Sequence, residues 1–205
     1  MLDIKDFTRL KPCPSRSRHV KKFCAFYSKG LILEFGVYQG KSLRWISKWL
    51  PDGEIYGFDT FVGLPEAWDY SGRPGAKKFP VGHFDTTVLG IDTMPDNVKL
   101  VKGLFQDTLP GFLESHPGPA GLVHVDSDLY SSAAYVLEAL NDRIVPGTVV
   151  AFDELFDMHR QDALIYDRWR EGEWKAMNEW IDRHGRVVKP VLRTDEFQGV
   201  VVVVK

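Results

Sequence analysis

Four carboxylates stand where this chain could do chemistry. Asp126 and Asp128 follow the apolar run Ala120-Gly-Leu-Val-His-Val125, and Asp153 and Glu154 follow a second one, Gly147-Thr-Val-Val-Ala-Phe152. Asp153 comes 27 residues after Asp126, the length of one strand–helix–strand repeat. Equivalent ends of adjacent parallel strands lie about 4.8 Å apart, so the four acids are expected at one rim. Asp126 and Asp128, at i and i+2, point to one side if the strand continues through them. Acids gathered this closely repel one another unless they are protonated or share a cation. A hard divalent cation such as Mg²⁺ takes oxygen ligands of this kind. The plainer alternative is that one or two of them cap the helices that follow.

A second constellation precedes them. Leu31-Ile-Leu33 reads as a buried strand, Glu34 stands near its end, and Gly36 and Gly40 bracket a tight turn. The period then becomes helical, with Leu43, Ile46 and Leu50 on one face. Strand, glycine turn and helix open a doubly wound α/β sheet, which binds ligands outside the carboxyl ends of its strands. The helix start suits a carboxylate or phosphate. A dinucleotide fingerprint needs glycines at positions held here by Gly36, Tyr38 and Lys41. A tyrosine at the second obstructs the approach to a pyrophosphate. A ligand with a single carboxylate fits better, and S-adenosylmethionine (SAM) is one. The two glycines also suit a plain strand-to-helix turn.

Asp59 ends a second strand, Glu54–Asp59, 19 residues after Gly40. An acid there is placed to accept from ribose hydroxyls, in nicotinamide and SAM enzymes alike, or is simply a turn aspartate. Residues 61–96 show little periodicity and many glycines and prolines, including Pro74, Gly75 and Gly90. So long a stretch is a lid over the ligand or a flexible loop. A third strand, Val98–Lys102, leads to Gly103 and Phe105, and Asp107–Pro110 opens a short helix. Phe105 could lie against a flat base or belong to the core.

The elements that must position these residues fill one domain. At 205 residues, 44% hydrophobic and 26% charged, the chain can bury a full core. The net charge of −2 argues against a polyanion partner. Residues 1–16 look irregular. Ser15 or Ser17 could cap a helix to about Tyr27, whose basic residues Arg16, Arg18, His19, Lys21 and Lys22 read as a nucleic-acid or acidic-substrate patch or as a solvated face. Cys13 and Cys24 make no disulfide framework. No apolar run reaches transmembrane length and the amino terminus lacks the regions of a signal peptide, so a soluble, cytoplasmic protein is expected. Phe156–Tyr166 is ambiguous. Glu173–His184 reads as a helix, and Val187–Leu192 and Gly199–Val204 as strands joined by a short link, one of them antiparallel to the rest.

Four motifs in order, Glu-Phe-Gly-Val-Tyr-Gln-Gly-Lys-Ser (34–42), Gly-Phe-Asp-Thr-Phe-x-Gly-Leu-Pro-Glu (57–66), Lys-Gly-x-Phe-x-Asp-Thr-Leu-Pro (102–110) and His-Val-Asp-Ser-Asp-Leu-Tyr-Ser-Ser (124–132), resemble class I SAM-dependent methyltransferases of the macrocin O-methyltransferase type. The likeness spans Leu31 to Phe156. It implies a Rossmann-like seven-stranded sheet, mostly parallel with the last strand antiparallel, and helices on both faces. It implies that Glu34, Gly36, Tyr38, Gln39, Gly40 and Ser42 hold the methionine end of SAM, that Asp59 holds the ribose with Phe61 nearby, and that Gly103 and Phe105 flank the adenine. Asp126 would border the cofactor and, with Asp153 and Glu154, hold Mg²⁺, while Asp128 would be the general base. The family's later pair is Asp-Asp and here it is Asp-Glu. The chain is also short of the extra amino-terminal and lid segments of the antibiotic-tailoring members. The expected activity is O-methylation of a small molecule such as a sugar, without nucleic acid or membrane, and with a homodimer left open. A nicotinamide-dependent oxidoreductase and a non-catalytic SAM-binding module are the alternatives.

Overall fold

The computed structural model describes residues 1–72, 78–87, 93–159 and 165–205. Seven strands form one sheet: β1 (Leu31–Phe35), β2 (Ile55–Asp59), β3 (Val98–Lys102), β4 (Ala120–Val125), β5 (Ile144–Phe152), β6 (Val188–Arg193) and β7 (Gly199–Val203). Their order is β3-β2-β1-β4-β5-β7-β6. The strands β3, β2, β1, β4 and β5 pair parallel, whereas β7 lies antiparallel to both β5 and β6. The expected reversal of the last strand is thus present. The direction in which the chain builds the sheet reverses between β1 and β4, which opens a crevice at their carboxyl ends.

Alternation along the strands divides the core in two. Leu33, Phe35, Val123, Val125, Val150 and Phe152 face one side, against residues of α4 (Phe105–Ser115), α5 (Tyr130–Ala139) and α6 (Glu173–His184). Ile32, Leu122, Val149 and Ala151 face the other, against α2 (Arg16–Cys24) and α3 (Lys41–Trp49). Leu43 and Ile46 of α3 are fully buried there, each contributing about 1.5–3 kcal/mol. Both sides of the parallel strands are covered, and this explains their continuous rather than alternating hydrophobicity.

Several expectations need correction. Residues 1–16 are not wholly irregular, since Asp3 and Asp6 form a reciprocal capping box that starts α1 (Ile4–Thr8). Helix α4 begins at Phe105, not Asp107, so Phe105 is the helix's first residue. Strand β4 stops at Val125, and Asp128 (φ 63°) sits in a tight turn closed by the Leu129 N–H on the Ser127 carbonyl at 2.6 Å. Asp126 and Asp128 therefore share a site through a turn, not through strand alternation. Neither helix-capping alternative holds: α5 has no side-chain cap, and after Asp153-Glu154 the next described helical turn is Trp169–Glu171.

The described part of residues 61–96 folds back on itself. Trp68 and Phe79 exchange both backbone hydrogen bonds, at 2.8 and 3.2 Å, and Val62 bridges Asp85. Rings of Trp68, Tyr70, Phe79 and Phe84 pack together, and Tyr70 stacks on Tyr166 at 4.7 Å. The described residues of this stretch thus form a two-bridge flap with its own small aromatic core. Pro74, Gly75 and Gly90, like residues 160–164 of the ambiguous stretch, lie outside the described residues. Among the described residues no helix is long and apolar enough to cross a membrane.

Candidate active site

The crevice between β1 and β4 holds a cavity of about 830 Å³. Gly36 sets its floor. A Cβ there would lie 1.7 Å from the Asp126 carbonyl oxygen, and its φ of 93° is one that L side chains rarely adopt. Only glycine lets the end of β1 pass this close to the end of β4. Gly40, also left-handed, starts α3 with no side-chain cap, leaving the amino end of the helix to the cavity. Tyr38 (φ 49°) projects from the turn, 40% exposed, and meets Phe84 of the flap at 5.4 Å between ring centres.

Asp59 holds this turn in shape. One of its oxygens accepts from the Val37 and Tyr38 N–H groups at 2.7 and 2.9 Å, and the other accepts from Phe61 N–H at 2.8 Å. A carboxylate has about four acceptor sites, so roughly one is left for a ligand hydroxyl. Of the residues expected around a cofactor, Gly36, Tyr38, Gln39, Ser42, Asp59, Phe105 and Asp126 line the cavity. Glu34 does not. It is fully buried beneath the turn, accepting from Ser42 Oγ at 2.9 Å and pairing with His124 Nδ1 at 2.7 Å. Its reach to the cavity runs through Ser42. Gly40, Phe61 and Gly103 are not among the cavity's lining residues, although Gly103 N–H donates to the Asp59 carbonyl, and the Phe35 ring lies edge-on to Phe105 at 5.3 Å.

At the other end of the cavity the expected carboxylates do gather. Asp126, Asp128 and Glu154 line it, and buried Asp153 lies just behind. Three groups escaped the sequence reading. The first is Arg16, whose Nη2 lies 2.6 Å from one oxygen of Asp126 and 2.7 Å from one of Asp153. It is not part of a merely solvated helix face. The second is His124, whose Nε2 lies 3.9 Å from Asp153. The third is Glu173 of α6, fully buried, which accepts from the Glu154 backbone N–H at 3.0 Å while its other oxygen has no partner among the described residues. The only signal for Arg16 was the basic start of α2, and Glu173 offered none.

Burial makes this an acid site of unusual proton affinity. Desolvation, then Asp153, pushes the Asp126 carboxyl up to about 7 against the pull of Arg16. Desolvation, then Asp126 and Asp153, raises Asp128 well above the usual carboxylate range. Glu154 and Glu173 are raised likewise, by burial first and Asp153 next. Burial alone would disfavour charged His124, but its bond to Glu34 and the carboxylates around it outweigh that and raise it. The Arg16 guanidinium is held charged for the same reason, its burial outweighed by Asp126 and Asp153.

Two chemical species suit these surroundings. The uncapped start of α3 and the acceptors of Asp59 suit a ligand with a carboxylate at one end and a ribose further on. The carboxylates suit a positive centre. One atom each of His124, Asp126 and Asp153 lies within 4.8 Å of the others, and the two carboxylates among them are the oxygen donors that Mg²⁺ prefers. Glu154, expected as a ligand, is not in that group of three.

Comparison with known proteins agrees with the geometry. A family model described as a methyltransferase domain matches residues 33–155. The chain is 29% identical over 200 residues, covering 90% of itself and 73% of the relative, to an 8-demethyl-8-(2,3-dimethoxy-alpha-L-rhamnosyl)-tetracenomycin-C 4'-O-methyltransferase of Streptomyces olivaceus. Its fold resembles the crystal structure of the calicheamicin methyltransferase CalS11, with a TM-score of 0.67 at 23% identity over 91% of this chain and 77% of that one. It also resembles the O-methyltransferase NovP, at 0.63 and 18% identity over 93% and 80%.

Proposed function

Since the chain belongs to the methyltransferase-domain family and is a SAM-dependent methyltransferase, we propose that it methylates a hydroxyl of a small molecule, a sugar of a secondary metabolite being the best match. The observation that carries this reading is the pairing of a turn suited to an amino-acid ligand with a buried carboxylate cluster across one cavity. The tetracenomycin relative, named for methylating a rhamnosyl 4' oxygen, supports the acceptor class.

SAM, when bound, supplies a methyl group made electrophilic by the sulfonium. Gly36, Tyr38, Gln39 and Ser42 would hold its amino-acid end, Asp59 its ribose, and Phe105 would lie towards the base. What remains for the protein is to align an oxygen with that methyl group and to remove the oxygen's proton. Asp128 is the group we assign to the proton. Its raised pKa makes it, once ionised, a stronger acceptor than an exposed aspartate. The turn around Asp128 aims it into the cavity beside Asp126. A Mg²⁺ ion would be held by Asp126 and Asp153, with Glu154 alongside, and would supply positive charge that lowers the pKa of a nearby hydroxyl group. The flap borders the cavity, where Gly63, Leu64, Pro65, Glu66 and Phe84 line it and Ser131 Oγ donates to Glu66 at 2.5 Å, and it is the element that would limit the access of water.

The test is incubation with SAM and a panel of rhamnosylated, other glycosylated and phenolic acceptors, read by mass. A mass gain of one methylene on a sugar hydroxyl is the expected outcome. Transfer to phenols alone would replace the sugar reading. Binding of NAD without binding of SAM would overturn the family reading as well.

A further inference from the structure

Arg16 is the first residue of α2, whose cap Ser15 accepts from the Arg18 N–H at 3.4 Å. The helix is anchored by Val20, Phe23 and Cys24, all buried, so it directs Arg16 across the carboxyl ends of β4 and β5. There a single nitrogen, Nη2, meets one oxygen of Asp126 and one of Asp153. This is not the two-nitrogen fork that guanidinium usually offers a single carboxylate. One point of positive charge sits between two acids from adjacent strands, which is where an ion bridging both would sit. A Mg²⁺ ion needs its oxygens at about 2.0–2.1 Å, and a guanidinium nitrogen already 2.6 and 2.7 Å from those oxygens stands in its way.

Two further observations bear on the site. Glu173 is fully buried in the same cluster and one of its oxygens has no partner among the described residues, so the acids there outnumber the acceptors that Arg16 uses. The Arg16 side chain, by contrast, is 43% exposed and can turn out to solvent without disturbing the buried face of α2. The arginine is thus the more exposed partner of a more deeply buried acid pair.

We propose that Arg16 and a divalent cation compete for one position between Asp126 and Asp153, so that metal enters only as the guanidinium leaves. The proposal rests on the reading of Asp126 and Asp153 as metal ligands. Competition makes the affinity for metal lower than the carboxylates alone would give. It also ties metal loading to the placement of the amino-terminal segment, since the displaced side chain belongs to α2.

The experiment is titration of the full chain with Mn²⁺, without SAM or acceptor, followed by calorimetry and by the loss of the free-ion paramagnetic resonance signal. Wild type, Arg16→Ala, Arg16→Lys and Asp153→Asn are compared, with circular dichroism to verify that each is folded. Arg16→Ala is expected to bind Mn²⁺ at least about tenfold more tightly than wild type, the effect of losing one charge-assisted competitor. Arg16→Lys is expected between the two, and Asp153→Asn should lose binding. Equal affinity in wild type and Arg16→Ala would overturn the competition and leave the metal ligands standing. No measurable binding in either would overturn both. SAM affinity, measured in parallel, reports separately on the methyltransferase reading.

Discussion

Asp128 and Asp59 are both aspartates beside one cavity, yet they should fail differently. Asp128 sits at φ 63°, a conformation that Asp and Asn tolerate better than other side chains. Asp128→Asn should therefore fold normally and bind SAM as wild type does. Its turnover should fall by about 10²–10⁴-fold if Asp128 takes the proton. Steady-state rates at saturating SAM check this, and an unchanged kcat would reassign the base. Asp59 has three of its acceptor sites committed to Val37, Tyr38 and Phe61 N–H groups. Asp59→Ala should weaken SAM by about 1.5–3 kcal/mol, partly through a lost bond to the ligand and partly through a loosened turn. Calorimetry on the folded variant measures it. A dissociation constant equal to wild type would remove Asp59 from both roles.

At the scale of elements, β1 and β4 meet where Gly36 crosses the Asp126 carbonyl. Gly36→Ala adds a carbon 1.7 Å from that oxygen at a left-handed backbone, and the contact is with main chain, which cannot step aside cheaply. We expect a loss of roughly 3 kcal/mol or more of stability, from overpacking and backbone strain together. Gly111, inside α4 with nothing within 4 Å of an added Cβ, is the contrast. Gly111→Ala should stabilise by about 0.5–1 kcal/mol, since alanine suits a helix better. Urea denaturation of the two variants decides the matter. Similar midpoints would mean that the β1–β4 crossing relaxes more easily than its geometry implies. The motif around Gly36 is legible as a turn in the sequence. That the turn also carries the registration of two strands is not, because the second strand lies some ninety residues further along.

At the scale of the whole molecule, mild acidification removes the stability contributed by neutral His19, against the opposite contribution of the raised carboxyls Asp126, Asp128, Glu154 and Glu173. It is 2% exposed, its Nε2 has no partner among the described residues, and its ring lies edge-on to Phe23 at 5.7 Å. Burial depresses its pKa from 6.5 to about 4. Asp153 opposes this, and His124, Arg16 and Lys22 assist it. The folded state thus refuses a proton that the unfolded chain accepts below pH 6.5. Stability contributed by neutral His19 is complete above pH 6.5 and is lost as pH falls towards 4, up to on the order of 3 kcal/mol. Chemical denaturation of wild type and His19→Phe at pH 7.5 and pH 5 tests it. The variant should gain on wild type at the lower pH, and a gap independent of pH would exclude His19 as the cause.

Much of this molecule follows from local pattern. The apolar runs, the glycine turn and the Glu173–His184 helix are set by short-range sterics and by hydrophobic period, and those act within a dozen residues. Strand ends also bring acids to one rim by repeat length alone, so Asp126, Asp128, Asp153 and Glu154 are legible together. What the rim contains besides them was decided in three dimensions. Arg16 comes from a helix that reads as a basic surface, and Glu173 from a stretch that reads only as a helix. His124 looks like one more residue of a strand until Glu34 and Asp153 surround it. A charged side chain declares its partner only when the fold removes water from both. Desolvation and pairing depend on distance in space, and separation along the chain carries no record of that.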